Sequence, residues 1–213
     1  MQLSVFDLDH TLVKGNSSFH FCKYLFRRKV FPVSSLVYSG LCYVRHHLCG
    51  MSLADLHQKV FDRFLRGRSL EALEVHVESF VEEYLAKALY MPAVECLKRA
   101  QHLGHYTLIL SNSPSFLVKA VSQFLGVHEW KATEYAVDKE RKLCKISSIM
   151  QGEEKAKWLV KVAGRLKVHT DAVTAYSDSH LDLPFLRAAG KAIAVNPDRK
   201  LRQYSRKYQW SVL

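Results

Sequence analysis

No run in this chain stays apolar for the roughly 20 residues that a bilayer-crossing helix needs. The longest candidate, residues 30–44, is broken by Pro32, Ser34, Ser35, Ser39 and Gly40, although it could still lie on a surface. There is no CxxC pair. The five cysteines (Cys22, Cys42, Cys49, Cys96 and Cys144) are an odd number, which argues against a disulfide framework and for reduced thiols in a cytosolic compartment. No signal-peptide pattern is present, because the first residues run straight into a strand and Asp7 and Asp9 interrupt any apolar core of a leader. Low-complexity tracts, internal repeats and nucleic-acid-binding motifs are absent too. The expected location is therefore cytoplasmic, at most peripheral to a membrane, with no nucleic-acid partner. His46, His47 and Cys49 lie close together but lack the paired spacing of a zinc site, and read as a partly exposed helix end.

What is present is an ordinary folded composition. The 213 residues are 48% apolar and 24% charged, enough for one domain with a sizeable core, or for a core domain plus an insertion. The net charge of +11 suits an anionic substrate, a phosphate or an acidic surface. Its basic residues are dispersed, with Lys23, Arg27, Arg28 and Lys29 early, Lys155, Lys157 and Lys161 midway, and Arg199, Lys200, Arg202, Arg206 and Lys207 late.

The pattern changes along the chain. Residues 2–6 read as a strand. Helical patterns follow over 17–29, 33–48, 52–66 and 69–87, the last two with Ser52 and Ser69 as N-caps. Strands then alternate with helices. A helix from Pro92 ends at Gly104, an apolar strand covers 106–110, and a helix over 114–125 closes at Gly126. Residues 128–150 carry short strands, and a helix spans 153–166. Next come a strand at 174–176, a helix over 181–189, a last buried strand at 192–195 and a terminal helix over 198–207. This order predicts an α/β fold with a doubly wound parallel sheet. The all-helical block 14–87 is then an inserted cap over the carboxyl ends of the strands, and residues 1–13 and 88–213 form the core.

The most informative residues are Asp7 and Asp9. Residues two apart in a strand share a side, so both acids can project from the strand's end into one crevice. Two such acids repel unless a cation or a shared proton intervenes. Three more junctions carry chemistry: Ser111-Asn112 after an apolar strand, Lys155 on the first turn of a helix after Gly152, and Asp178 and Asp182 after another strand. In a parallel sheet these ends share one edge. Carboxylates, a hydroxyl, an amide and an ammonium group are the inventory for binding Mg²⁺ and a phosphoryl group.

Asp-x-Asp-x-Thr, strand-Ser-Asn, Gly-x-x-Lys and Ser-Asp-x-x-x-Asp together resemble the haloacid dehalogenase superfamily over nearly the whole chain. The helical insertion after the first motif resembles the phosphoserine-phosphatase-like branch (subfamily IB). The acid at position 9 points to a phosphatase or phosphotransferase. The resemblance implies Asp7 as a nucleophile forming an aspartyl phosphate, and Asp9 as the acid and then the base, with its carbonyl on Mg²⁺. It also implies that Thr11 orients Asp9, that Ser111, Asn112 and Lys155 bind the phosphoryl group, and that Asp178 completes the metal site. Asp182 would stand behind Asp178 or share the ligation. His10 occupies a position that is often glycine in related sequences. It is given no catalytic role and would point away from the acids if the strand persisted.

The helical block is basic and aromatic, with Phe19, Phe21, Tyr24, Phe26, Arg27, Arg28, Phe31, Tyr38, Tyr43 and Arg45. It reads first as a small helical core with a cationic exterior. The expected activity is Mg²⁺-dependent hydrolysis of a small or lipid-derived phosphomonoester. Two other readings stay open: a phosphate-binding or regulatory module with little turnover, and a membrane-surface binding protein.

Overall fold

Alternating side chains along the strands divide the interior into two faces, and both must be covered by helices. Leu3 and Val5 of β1 (Leu3–Phe6) point one way and Phe6 the other. The computed structural model describes the backbone of residues 1–213, and all side chains except those of Tyr43, His46, His47, Leu48, Cys49 and Leu53. The suggested His46, His47 and Cys49 cluster therefore lies outside the described side chains, as does Tyr43.

After β1 the chain forms α1 (Ser17–Arg27), α2 (Val33–Cys49), α3 (Leu53–Val60), α4 (Leu70–Phe80), α5 (Ala86–Ala88) and α6 (Met91–His102). Strand β2 (Tyr106–Pro114), α7 (Ser115–Leu125), β3 (Glu129–Val137), β4 (Leu143–Ser148) and α8 (Gly152–Leu166) follow. The chain ends with β5 (Val173–Ser177), α9 (Leu183–Arg187), β6 (Lys191–Ala194), α10 (Arg199–Lys207) and β7 (Ser211–Val212). The seven strands make one sheet in the order β4-β3-β2-β1-β5-β6-β7, and only the β3–β4 pairing is antiparallel. The expected α/β class with a helical insertion is what the chain adopts.

The differences from the sequence reading are local. The helical patterns over 52–66 and 69–87 each contain a π turn, Phe61–Leu65 and Val81–Leu85, and the second continues into α5. A π turn inserts one residue and shifts the helical phase locally, over too short a stretch for periodicity to place it. β2 runs on past residue 110, and its register shifts between Ser111 and Pro114. The expected helix over 181–189 is a 3₁₀ turn, His180–Asp182, followed by the short α9. The terminal strand β7 is two exposed residues and carries no alternation to read.

The insertion does not pack apart from the sheet. Phe6, Ile109, Leu117 and Val121 share one buried cluster with Phe21, Leu25, Phe61, Leu73 and Phe80. A chain of rings links the two: Phe80–Phe21 at 5.5 Å, Phe21–Phe116 at 6.3 Å, Phe116–Tyr135 at 6.0 Å and Tyr135–Phe61 at 5.5 Å. The opposite face holds Leu3, Val5, Leu108 and Leu110 against Leu159, Val162, Phe185 and Leu201. The insertion's entry and exit lie side by side, with Lys14 N–H donating to the Ala88 carbonyl at 2.7 Å and Tyr90 N–H to Leu12 at 2.9 Å.

β1 stops at Phe6, so the condition on which His10 was expected to point away from the acids is not met. His10 has φ +58°, and its N–H closes a turn onto the Gly15 carbonyl at 2.9 Å. This left-handed conformation explains why a glycine would suit the position, and histidine enters it more readily than most residues do. His10→Gly should leave stability within about 1 kcal/mol of wild type, whereas the β-branched His10→Ile should cost about 1–3 kcal/mol. Urea melts of the two variants measure this, and equal stabilities would contradict it.

Candidate active site

Three neighbouring strands deliver the site. β1 lies between β2 and β5, and its Phe6 is in register with Ile109 and Tyr176. Asp7, Ser111 and Asp178 therefore leave one edge of the sheet together. Asp7 N–H donates to the Tyr176 carbonyl at 2.9 Å, extending the β1–β5 ladder by one bond and fixing where its carboxylate starts. Strand order diverges around β1, and the crevice at such a point is where open α/β sheets bind ligands.

At its centre is a buried ion cluster. Lys155 Nζ donates to Asp7 Oδ1 at 2.6 Å and to Asp182 Oδ2 at 2.6 Å. All three side chains are at least nine-tenths buried. Ser177 Oγ donates to the same Asp182 oxygen at 2.7 Å. Asp182 thus positions the lysine. Of the ammonium's three protons, two are engaged, and among the described residues the third has no acceptor and can serve a phosphoryl oxygen. Burial of Lys155 would lower its pKa, but Asp182 and Asp7 outweigh that and hold it above the ordinary lysine value.

The carboxylates outnumber the cation. Burial, reinforced by Asp182 and Asp9 against the opposing Lys155, pushes Asp7 up to about 7. Burial, with Asp7 and Asp182 adding to it, pushes Asp178 up to about 8. Thr11 Oγ1 donates to Asp178 Oδ1 at 3.4 Å. This surplus of hard oxygen donors fits a small divalent cation. Among the described residues no three His, Cys, Asp or Glu side chains form a ready cage. That also fits Mg²⁺, which keeps several waters and takes one or two carboxylates plus a substrate oxygen.

Asp9 is held differently from the expectation. Thr11, expected to orient it, bonds to Asp178 instead. Ser17 N–H, on the first turn of α1, donates to Asp9 Oδ1 at 2.7 Å, while Ser113 Oγ at 2.6 Å and Asn16 Nδ2 at 3.3 Å donate to Oδ2. Ser113 spends its one proton on Asp9. It therefore accepts from the hydroxyls of Ser17 at 3.0 Å and Ser18 at 2.7 Å. Asn16 is also the N-cap of α1, accepting from Phe19 N–H at 2.9 Å. Sequence reasoning does not reach Asn16, Ser17 or Ser113, and it meets Ser177 only as the serine of Ser-Asp-x-x-x-Asp, without a role. An N-cap signal at Asn16 was readable, whereas the partners of Ser113 and Ser177 are distant in sequence or set by a loop.

The β2 register shift shapes the second junction. Ser111 is fully buried, and its Oγ accepts the Ser113 N–H at 3.1 Å. Thr133 Oγ1 donates to the Asn112 carbonyl at 2.7 Å and lies 3.2 Å from the Asn112 side-chain oxygen, and among the described residues the Asn112 NH₂ group has no acceptor. At the third junction, a Cβ on Gly152 would sit 2.1 Å from the Leu181 carbonyl oxygen. Only glycine lets the α8 N-terminus meet the turn that carries Asp182. Gly152→Ala should therefore part Lys155 from Asp182, cost about 2–4 kcal/mol and reduce turnover. Thermal melts and steady-state assays read both, and a fully stable, fully active variant would refute the packing argument.

The comparisons with known proteins agree with this geometry. The family model of haloacid dehalogenase-like hydrolases matches residues 4–187. A phosphoserine phosphatase of Mycobacterium tuberculosis is 28% identical over 212 residues, covering 97% of this chain and 68% of its own length. A histidinol-phosphatase of Neisseria meningitidis is 24% identical over 217 residues, covering 99% of this chain and 97% of its own. Among solved structures, a Bordetella pertussis protein of unknown function superposes with TM-score 0.87 at 22% identity, covering 99% of this chain and 97% of that one. A substrate-bound phosphoserine phosphatase gives TM-score 0.72 at 17% identity, covering 95% and 89%. With the family match spanning most of the sheet and all four junctions, the chain belongs to the haloacid dehalogenase-like hydrolases.

Proposed function

We propose that this hydrolase is a Mg²⁺-dependent phosphatase of a small phosphomonoester, working through an aspartyl phosphate on Asp7. The observation that carries this is Asp7 itself: a buried carboxylate at a strand's carboxyl end, bonded to an ammonium group that keeps a proton to donate. The names of two relatives, a phosphoserine phosphatase and a histidinol-phosphatase, support a small phosphorylated substrate.

In this reading Asp7 attacks phosphorus in line with the leaving oxygen. Lys155 and the Ser111 hydroxyl hold the equatorial oxygens, and the Asn112 amide adds a donor. Asp9 protonates the leaving alkoxide, then takes a proton from the water that opens the aspartyl phosphate. Mg²⁺, held by Asp7 and Asp178 with the Asp9 carbonyl, supplies charge neutralisation when bound, so that a carboxylate can approach a phosphate dianion. Asp182 acts through Lys155. Residues 14–87 serve as the cap over the core of 1–13 and 88–213, and sense the part of the substrate beyond phosphorus. A phosphate-binding module would not need a buried nucleophile with a three-donor clamp on a second acid beside it.

With p-nitrophenyl phosphate and Mg²⁺, Asp7→Asn should lower kcat by at least about 10³-fold, the scale of losing a covalent nucleophile. Undiminished turnover would end the assignment. A panel including phosphoserine, histidinol phosphate and lysophosphatidic acid then separates soluble from lipid-derived substrates.

The metal has a second readout. Asp7 and Asp178 sit at about 7 and about 8, above their unfolded values, so the metal-free folded state binds more protons than the unfolded one. Stability in EDTA should then fall as pH rises from about 5 to about 8. Added Mg²⁺ should raise the melting temperature most at the upper end. A pH-independent melting temperature in EDTA would contradict this.

A further inference from the structure

Helix α2 is apolar on the side that faces solvent. Val33, Val37, Leu41 and Val44 are 60%, 58%, 58% and 48% exposed. Their spacing of four, four and three residues aligns them in one stripe along the helix. The opposite side is the packed one, with Ser35 and Cys42 buried and Tyr38 against Phe64 at 5.6 Å. An α-helix that is apolar on both sides is normally covered on both. No helix of the described residues is long and apolar enough to cross a membrane.

The charge around the stripe says what covers it. Residues 10–54 contain no Asp or Glu. Arg27, Arg28 and Lys29 are exposed just before α2, and Arg45 is exposed near its far end. Acids from other elements reach this region in few places. Glu83 pairs with Arg28, and the Asp55 carboxylate at the start of α3 is held by the Ser52 hydroxyl. Among the described residues, Arg27, Lys29 and Arg45 take part in no ion pair. A second copy of the chain would bring the same acid-free tract against this one, cation facing cation. An anionic bilayer supplies both complements at once, hydrocarbon for the aliphatic stripe and phosphate for the flanking cations.

We infer that the outward face of α2 docks this protein on anionic lipid surfaces, lying in the interface with Arg27, Lys29 and Arg45 toward the headgroups. The inference does not depend on the catalytic reading. α2 packs on α1, whose first turn holds Asp9, so docking would bring the catalytic insertion to the membrane without any transmembrane segment.

The test is vesicle flotation of the full chain. Wild-type protein is mixed with vesicles of phosphatidylcholine alone, or of phosphatidylcholine with phosphatidylglycerol, at low and high salt. At low salt, flotation with the anionic vesicles should exceed that with neutral ones by about tenfold or more, and should fall as salt screens the cations. Val37→Glu/Leu41→Glu and Arg27→Glu/Lys29→Glu should each abolish flotation, with melting temperature and p-nitrophenyl phosphate turnover at wild-type levels. Asp7→Asn should float as wild type does, which separates this inference from the phosphatase reading. Wild-type protein that ignores anionic vesicles would overturn the inference, and so would a Val37→Glu/Leu41→Glu variant that floats undiminished. A wild-type dimer that this variant dissociates, with no flotation, would overturn it in favour of a second copy. The comparison of two vesicle types with wild-type protein decides the matter even if a variant misfolds.

Discussion

The Lys155 ammonium, bonded to Asp7 and Asp182 out of water, is the interaction on which the rest of the site depends. Removing one partner from a buried ion pair strands the other, at a cost of several kcal/mol. The fold therefore has to deliver all three groups to the same point. β1 brings Asp7, the first turn of α8 brings Lys155, and the turn after β5 brings Asp182. Gly152 and Ser177 look minor beside them, yet each removes an obstacle to that meeting. One keeps a Cβ away from the Leu181 carbonyl, and the other fixes the shared Asp182 oxygen. A single cation among Asp7, Asp9, Asp178 and Asp182 also leaves the cluster short of positive charge, and that shortage motivates the metal more strongly than any one residue does.

A second constraint joins chemistry to specificity. Asp9 is gripped by Ser17 N–H and Asn16 from the insertion and by Ser113 from the core. The N-terminal turn of α1 lies at that carboxylate. The same helix contributes Phe21 to the ring chain reaching Phe116 and Tyr135. Any tilt of the insertion that moved α1 would strain both the aromatic contacts and the hydrogen bonds to Asp9. In the proposed reaction, Asp9 must serve first as acid and then as base. Contact with the insertion is thus a means by which the part of a substrate beyond phosphorus could influence that residue.

Much of this was legible in the chain, for identifiable reasons. The strand at 106–110 is a short apolar run, and both it and the strand at 174–176 lead into polar residues, as the strands of a parallel sheet do at a ligand-binding edge. Their order puts Asp7, Ser111 and Asp178 on one edge of the sheet. The partners of Asp9 and Asp178 were not legible. The family resemblance implies that Thr11 orients Asp9, but β1 ends at Phe6 and the turn through His10 sends the Thr11 hydroxyl to Asp178. Ser113 reaches Asp9 across 104 positions, a separation that local pattern does not record. The π turns and the β2 register shift each change which side chains face inward over only a few residues, too short a stretch for the periodic pattern to record.

The net charge of +11 belongs to the exterior, because the catalytic crevice is acidic. A basic exterior raises the local concentration of phosphate esters whatever their class, so it explains encounter and not choice. It does not account for four exposed aliphatic residues in register along α2. Solvation alone would replace them with charged or polar residues at little structural cost, since the buried side of the helix is already packed by Ser35, Tyr38 and Cys42. A phosphatase acting only on solutes gains nothing from that stripe, whereas one working beside a lipid surface gains residence there. The outward face of α2 is thus a constraint separate from the acidic crevice, and the proposed docking would satisfy both at once, with the catalytic edge on the sheet and the docking face on the helical block.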